Sequence, residues 1–136
     1  MEKQTILIVE DDSFVMDIYQ TKLSLEGFDV IAANNGMEAL KKLESGECVP
    51  DLILLDIIMP YVDGLEVLKK IKANEELRKI PVILLTNLSQ KEEIGQGFVL
   101  GAKDYLIKSH FTPSEVLEKI RIYLPKEEVK TEEIKN

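Results

Sequence analysis

The chain has 136 residues, with 45% hydrophobic and 31% charged side chains. These are ordinary values for a globular protein with one domain and a single core. Its 25 acidic and 17 basic residues leave a formal charge of -8, which argues against a basic patch for nucleic acid or an anionic membrane. The opening MEKQTILIVEDD has one lysine and a short apolar run, matching neither a signal peptide nor a membrane span. Cys48 stands alone, so an internal disulfide is excluded; a partly buried filler in a reducing, cytoplasmic setting is expected.

Short apolar runs alternate five times with longer amphipathic stretches. The runs cover residues 5–9, 28–32, 52–55, 82–85 and 104–107. The first, third and fourth are almost unbroken Ile, Leu and Val, as strands covered on both faces require. In the first helical stretch Phe14, Ile18 and Leu25 are expected to face the core. Asn35 with Glu38, Asp63 with Glu66 and Ser89 with Glu92 have capping-box spacing. The strongest start is Thr112-Pro113-Ser114-Glu115, with a cap, a proline at the first helical position and an acid in the first turn. Val116, Ile120, Tyr123 and Leu124 then form one apolar stripe. Residues 125–136 mix Lys and Glu with few apolar side chains, so a disordered polar tail after a domain over 1–124 is expected.

This order predicts a single α/β domain, a flavodoxin-like (βα)5 doubly wound fold with a five-stranded parallel sheet. Such sheets place their sites beyond the carboxyl ends of the strands. There the chain carries Glu10, Asp11 and Asp12 after the first strand, Asp56 after the third, Thr86 after the fourth and Lys108 after the fifth. Singly, such acids more often cap a following helix, as Asp12-Ser13 can. Together on one sheet edge they repel one another and call for a cation. Oxygen ligands suit magnesium. A metal beside a carboxylate, with a lysine and a hydroxyl near it, points to phosphoryl transfer onto that carboxylate.

The segment Asp56-Ile57-Ile58-Met59-Pro60-Tyr61-Val62-Asp63-Gly64 resembles the D-x-x-M-P-x-x-D-G signature of response-regulator receiver domains. Ile6 to Asp12 and Gly101 to Lys108 resemble that family's first-strand and fifth-strand segments, and the resemblance covers residues 4–124. It implies a phosphoacceptor at Asp56 and a Mg2+ site made by Glu10, Asp11, Asp56 and the backbone carbonyl of Ile58. Asp11 would touch the metal directly and Glu10 through water. Thr86 and Lys108 would hold phosphoryl oxygens, and Tyr105 would act as an aromatic switch. The fourth helix, fifth strand and fifth helix would form the output face. Gly95 and Gly97 lower the propensity of that fourth helix, which fits a mobile element and equally fits neutral variation.

Three places depart from the family pattern. Ser109 follows Lys108 where proline is usual, and a cis bond there costs far more than before proline. Asn87 stands where a smaller residue is preferred, narrowing access to the site. Ile58 and Leu88 are apolar at positions that influence loss of the phosphoryl group, so a long-lived phosphorylated state is expected.

The implied role is a single-domain response regulator that accepts its phosphoryl group from a histidine kinase or phosphotransfer protein. It would be a signalling switch that catalyses its own phosphorylation and slow dephosphorylation, without turnover of a substrate. Its expected partners are a downstream protein and, on phosphorylation, a second copy through the output face, with no direct nucleic acid and no membrane. The alternative is a magnesium phosphatase with an aspartyl-phosphate intermediate. Such enzymes typically carry a second Asp two residues after the nucleophile, where this chain has Ile58. A flavin carrier would need a glycine- and hydroxyl-rich loop where Glu10-Asp11-Asp12 stands. A binding-only pseudo-receiver would not need the full acidic set. His110, the only histidine, is expected to have no special role.

Overall fold

The computed structural model describes residues 3–87, 91–110 and 112–125. Leu88, the cap at Ser89, the side chain of His110 and the expected tail beyond residue 125 lie outside the described residues.

In chain order the elements are β1 (Thr5–Val9), α1 (Ser13–Leu25), β2 (Asp29–Ala33), α2 (Gly36–Glu44), β3 (Leu52–Asp56), α3 (Gly64–Ala73), β4 (Val82–Thr86), α4 (Lys91–Leu100), β5 (Asp104–Ile107) and α5 (Pro113–Tyr123). The five strands form one sheet in the order β2-β1-β3-β4-β5, and every pairing is parallel. The expected (βα)5 architecture is present. The order reverses between β1 and β3, and crevices for ligands open at such a switch, beyond the carboxyl ends of the strands. Strands β3 and β4 each run one residue further than their apolar runs, so Asp56 and Thr86 close them; β2 starts and ends one residue later than its run.

Strand side chains alternate between faces, and the sheet separates two cores. Leu7, Val9, Ile53, Leu55, Val82 and Leu84 pack under α2 and α3, with Ile94 and Leu100 of α4 and Tyr105 of β5 against the same cluster. Ile6, Ile8, Leu52, Leu54, Ile83, Leu85 and Leu106 pack under α1 and α5. In α5, Val116 and Ile120 are buried and Tyr123 and Leu124 flank them, as its stripe predicts.

Helix α1 corrects the sequence reading. Met16, Tyr19 and Leu23 are buried, whereas Phe14 and Leu25 are 72% and 78% exposed and Ile18 is exposed as well. Both triplets have helical spacing, so periodicity gave the helix and not its rotation. Cys48 is fully buried, beyond the partial burial expected.

The capping signals hold where they are described. Thr112 accepts from the Glu115 amide while the Glu115 carboxylate accepts from the Thr112 amide, a complete capping box. Asn35 accepts from the Glu38 amide, but Glu38 reaches back to the Asn34 amide instead. Asp63 accepts from the Glu66 amide, and Asp12 caps α1 through the amides of Phe14 and Val15.

Candidate phosphoacceptor site

The alternation that builds the two cores also sorts the chemistry. Continuing past Ile6 and Ile8, past Leu52 and Leu54, and past Leu106, the rows end at Glu10, Asp56 and Lys108. Thr86 ends the opposite row, after Val82 and Leu84, on the side that also holds Tyr105.

Glu10 and Asp56 are buried, at 0% and 3% exposure. The half-buried Lys108 joins them: its Nζ lies 3.1 Å from Asp56 Oδ2, 3.0 Å from Glu10 Oε1 and 3.2 Å from Glu10 Oε2. Glu10 Oε2 also accepts from the Asp12 amide, at 3.1 Å. Buried Glu10 Oε1 has the ammonium charge beside it and no hydrogen bond. Carboxylate oxygens of Glu10, Asp11 and Asp56 all lie within 4.8 Å of one another, with Asp11 exposed at the mouth.

The electrostatics follow from this crowding. Burial first, then the neighbouring Glu10, push the Asp56 carboxyl up to about 7 against the pull of Lys108. Burial alone would lower Lys108, but Asp56 and Glu10 more than offset it and hold the ammonium above its ordinary value. If all are ionised, three carboxylates against one ammonium leave two formal negative charges, which one divalent cation balances. Hard oxygen donors, together with a buried carboxylate oxygen lacking a hydrogen bond, fit magnesium.

The loop after β3 is shaped by backbone contacts. Gly64 opens α3 so close to β3 that a Cβ there would strike the Asp56 carbonyl oxygen and lie 2.7 Å from Ile57 Cα. Its amide donates to the Ile57 carbonyl at 2.7 Å. Between them Ile57 and Met59 are buried and Ile58 is exposed beside the site. Tyr61, with an exposed ring, is held at φ 68 in a three-residue turn closed by the Val62 amide on the Pro60 carbonyl.

Thr86 is buried, and its hydroxyl donates to the Asn87 carbonyl at 3.1 Å, with Asn87 exposed beside it. The described residues contain no cis peptide bond; Lys108 enters a 3-10 turn over Lys108–His110 through a trans bond to Ser109. Tyr105 meets Phe98 of α4 edge-on, ring centroids 6.0 Å apart. Sequence reading missed this partner. It also missed Asp104, which accepts from Tyr123 Oη at 2.7 Å and lies 3.2 Å from Lys119 Nζ. Burial opposes ionisation of Asp104, but these donors more than offset it and hold the carboxyl below its ordinary value. No spacing rule links such residues, which come from different elements.

Comparison with known proteins agrees with this geometry. A family model for the response regulator receiver domain matches residues 6–121. The alkaline phosphatase synthesis transcriptional regulatory protein PhoP of Bacillus subtilis is 37% identical over 124 residues, covering 91% of this chain and 50% of the relative. The DNA-binding dual master transcriptional regulator RpaA of a Synechocystis species is 38% identical over 119 residues, covering 88% and 48%. The chain thus spans about half the length of the curated relatives it matches. Among solved structures, a CheY-like response regulator receiver domain protein of Methanospirillum hungatei superposes with TM-score 0.82 at 32% identity, covering 90% of this chain and 94% of that one. The phosphorylated cyanobacterial phytochrome response regulator RcpA superposes with TM-score 0.81 at 28% identity, covering 93% and 98%.

The chain belongs to the response regulator receiver domains, the family of two-component signalling. Receiver domains bind Mg2+ in an acidic pocket, and Glu10, Asp11 and Asp56 form an acidic cluster here. Among the described residues no helix is long and apolar enough to cross a membrane.

Proposed function

We propose that this chain accepts a phosphoryl group on Asp56, from a histidine kinase or phosphotransfer protein, and passes the change on through α4, β5 and α5. The observation that carries this reading is the placement of Lys108 Nζ within 3.1 Å of Asp56 and 3.0 Å of Glu10, beside exposed Asp11. Such a site offers a carboxylate nucleophile, a cation for phosphoryl oxygens and ligands for a divalent ion.

Asp11, Asp56 and the Ile58 carbonyl would hold Mg2+, with Glu10 behind them through water. The ion supplies charge neutralisation for the phosphoryl oxygens when bound. An Asp56 oxygen attacks the phosphorus of the donor; the bond to the leaving group breaks, and that group departs with the electron pair. Lys108 turns from the carboxylates to a phosphoryl oxygen, and the Thr86 hydroxyl leaves the Asn87 carbonyl for another. Tyr105, on the same side of the sheet as Thr86, follows that movement as the switch residue. Ile58 and Leu88 are apolar residue types, unsuited to orient a hydrolytic water, and exposed Asn87 narrows access to the site, so we read the phosphorylated state as long-lived.

The family match supports this switch over a phosphatase. We assign the readout to contact with a downstream protein or a second copy. Two arguments favour a protein surface over direct nucleic-acid contact for this region. The formal charge is -8, and the DNA-binding description of RpaA belongs to a protein about twice this length.

The test is incubation with Mg2+ and acetyl phosphate, followed by intact mass. Gain of one phosphoryl group, abolished in Asp56→Asn and by chelation of the metal, is expected. An equal gain in Asp56→Asn would refute the assignment.

A further inference from the structure

Helix α4 is seated differently from its neighbours. The one residue it buries outright is Gly97. A Cβ at Gly97 would strike the Leu84 side chain and come within 3.7 Å of Leu65, whereas a Cβ at Gly95 meets open space. The two glycines therefore do unlike things: Gly97 lets the helix touch down on β4, and Gly95 adds only freedom.

Leu84 stands opposite Tyr105 in the β4–β5 register, and its own row ends two residues later at Thr86. Phe98, next to Gly97, is 43% exposed and meets the half-buried Tyr105 ring edge-on at an interplanar angle of 86°. Two adjacent residues of α4 thus grip two residues paired across β4 and β5. Seating the helix on Leu84 is what brings Phe98 to the Tyr105 ring.

We propose that Gly97 and Phe98 form a latch that holds α4 down and Tyr105 in place while the Thr86 hydroxyl donates to Asn87. Releasing the latch frees the Tyr105 ring and raises the readiness of Asp56 to accept a phosphoryl group. The coupling runs both ways, because a state that phosphorylation favours must in turn favour phosphorylation. Phe98 is a positioning residue that acts through Tyr105. The inference rests on the reading of Asp56 as phosphoacceptor and Tyr105 as switch, and names what restrains that switch.

The test uses the full chain labelled with 3-fluorotyrosine. Tyr105→Phe assigns its fluorine resonance among those of Tyr19, Tyr61, Tyr105 and Tyr123. In Phe98→Leu, without any phosphodonor, the Tyr105 resonance is expected to shift while the other three stay. Phosphorylation by acetyl phosphate and Mg2+ is expected to quicken about two- to tenfold, the range one aromatic pair supplies. Phe98→Tyr, which keeps the ring edge, restores both readings. Gly97→Ala, which lifts the helix off Leu84, repeats the effect of Phe98→Leu.

An unmoved Tyr105 resonance in Phe98→Leu overturns the latch. A moved resonance with an unchanged rate overturns its coupling to Asp56. If the parent chain gains no phosphoryl group, the phosphoacceptor reading fails, and the resonance still decides the latch.

Discussion

Helices α3 and α4 have equal lengths and lie on the same side of the sheet, yet the chain fastens them differently. Helix α3 buries Gly64, Val67, Leu68 and Ile71 and begins at an Asp63 cap, with Gly64 pressed onto the backbone of Asp56. Helix α4 buries only a glycine and otherwise rests on partly buried Ile94 and Leu100 and one aromatic edge contact. The lesson is a division of labour within one layer. The half holding Asp56 is close-packed down to main-chain atoms, and the half bearing Tyr105 is held by few buried groups. Local opening concentrates where buried apolar contacts are few.

Mutations in the two helices should expose that difference most strongly. Leu68→Ala leaves a cavity at a fully buried position and is expected to cost about 2–5 kcal/mol in chemical denaturation. Val99→Ala, at an exposed position of α4, is expected to fall within about 0.5 kcal/mol of the parent. Equal costs would erase the contrast.

A second expectation concerns the rigid half alone. The Asp56 carboxyl rises from 3.8 to about 7 on folding, so between those values the folded chain holds a proton that the unfolded chain gives up. Unfolding free energy of the metal-free protein therefore falls as pH climbs through that window and levels above it, by at most a few kcal/mol. Denaturation midpoints in chelator at about pH 4 and pH 7 read the slope across that window. Asp56→Asn should flatten it; a slope that persists would place the buried proton elsewhere.

The smallest effect separates two glycines. Gly64→Ala forces a methyl group onto the Asp56 carbonyl, where backbone must move, and is expected to cost about 1–3 kcal/mol. Gly97→Ala meets side-chain atoms of Leu84 and Leu65 rather than backbone, and the lightly held α4 lifts to make room. With the helix propensity gained, its stability is expected to lie within about 1 kcal/mol of the parent. The same denaturation curves decide this, and a larger loss at Gly97 would mean that α4 is the tighter helix.

Much of this was legible beforehand, for definite reasons. A parallel strand covered on both faces must be apolar throughout, so the β1, β3 and β4 runs stood out. Asp56 and Thr86 could be placed because each directly follows such a run, and Lys108 because it follows the fifth run, Asp104–Ile107. The cap at Thr112 has a local signature that needs no tertiary partner. The rotation of α1 did not, since Phe14, Ile18 and Leu25 compete with Met16, Tyr19 and Leu23 on equal spacing and only packing chooses. The unlike duties of Gly95 and Gly97, and the pairing of Phe98 with Tyr105, depend on what lies across a gap in space.

The sorting of side chains along the strands also bears on how the gene can tolerate small insertions and deletions. Removing one residue within β4 would exchange the faces of everything beyond the cut, turning Thr86 toward α1 and α5 and a leucine toward α4. The same loss within residues 74–80, before the strand, would shorten a connection and leave every face as it is. For this sheet, the parity of an edit matters more than its size.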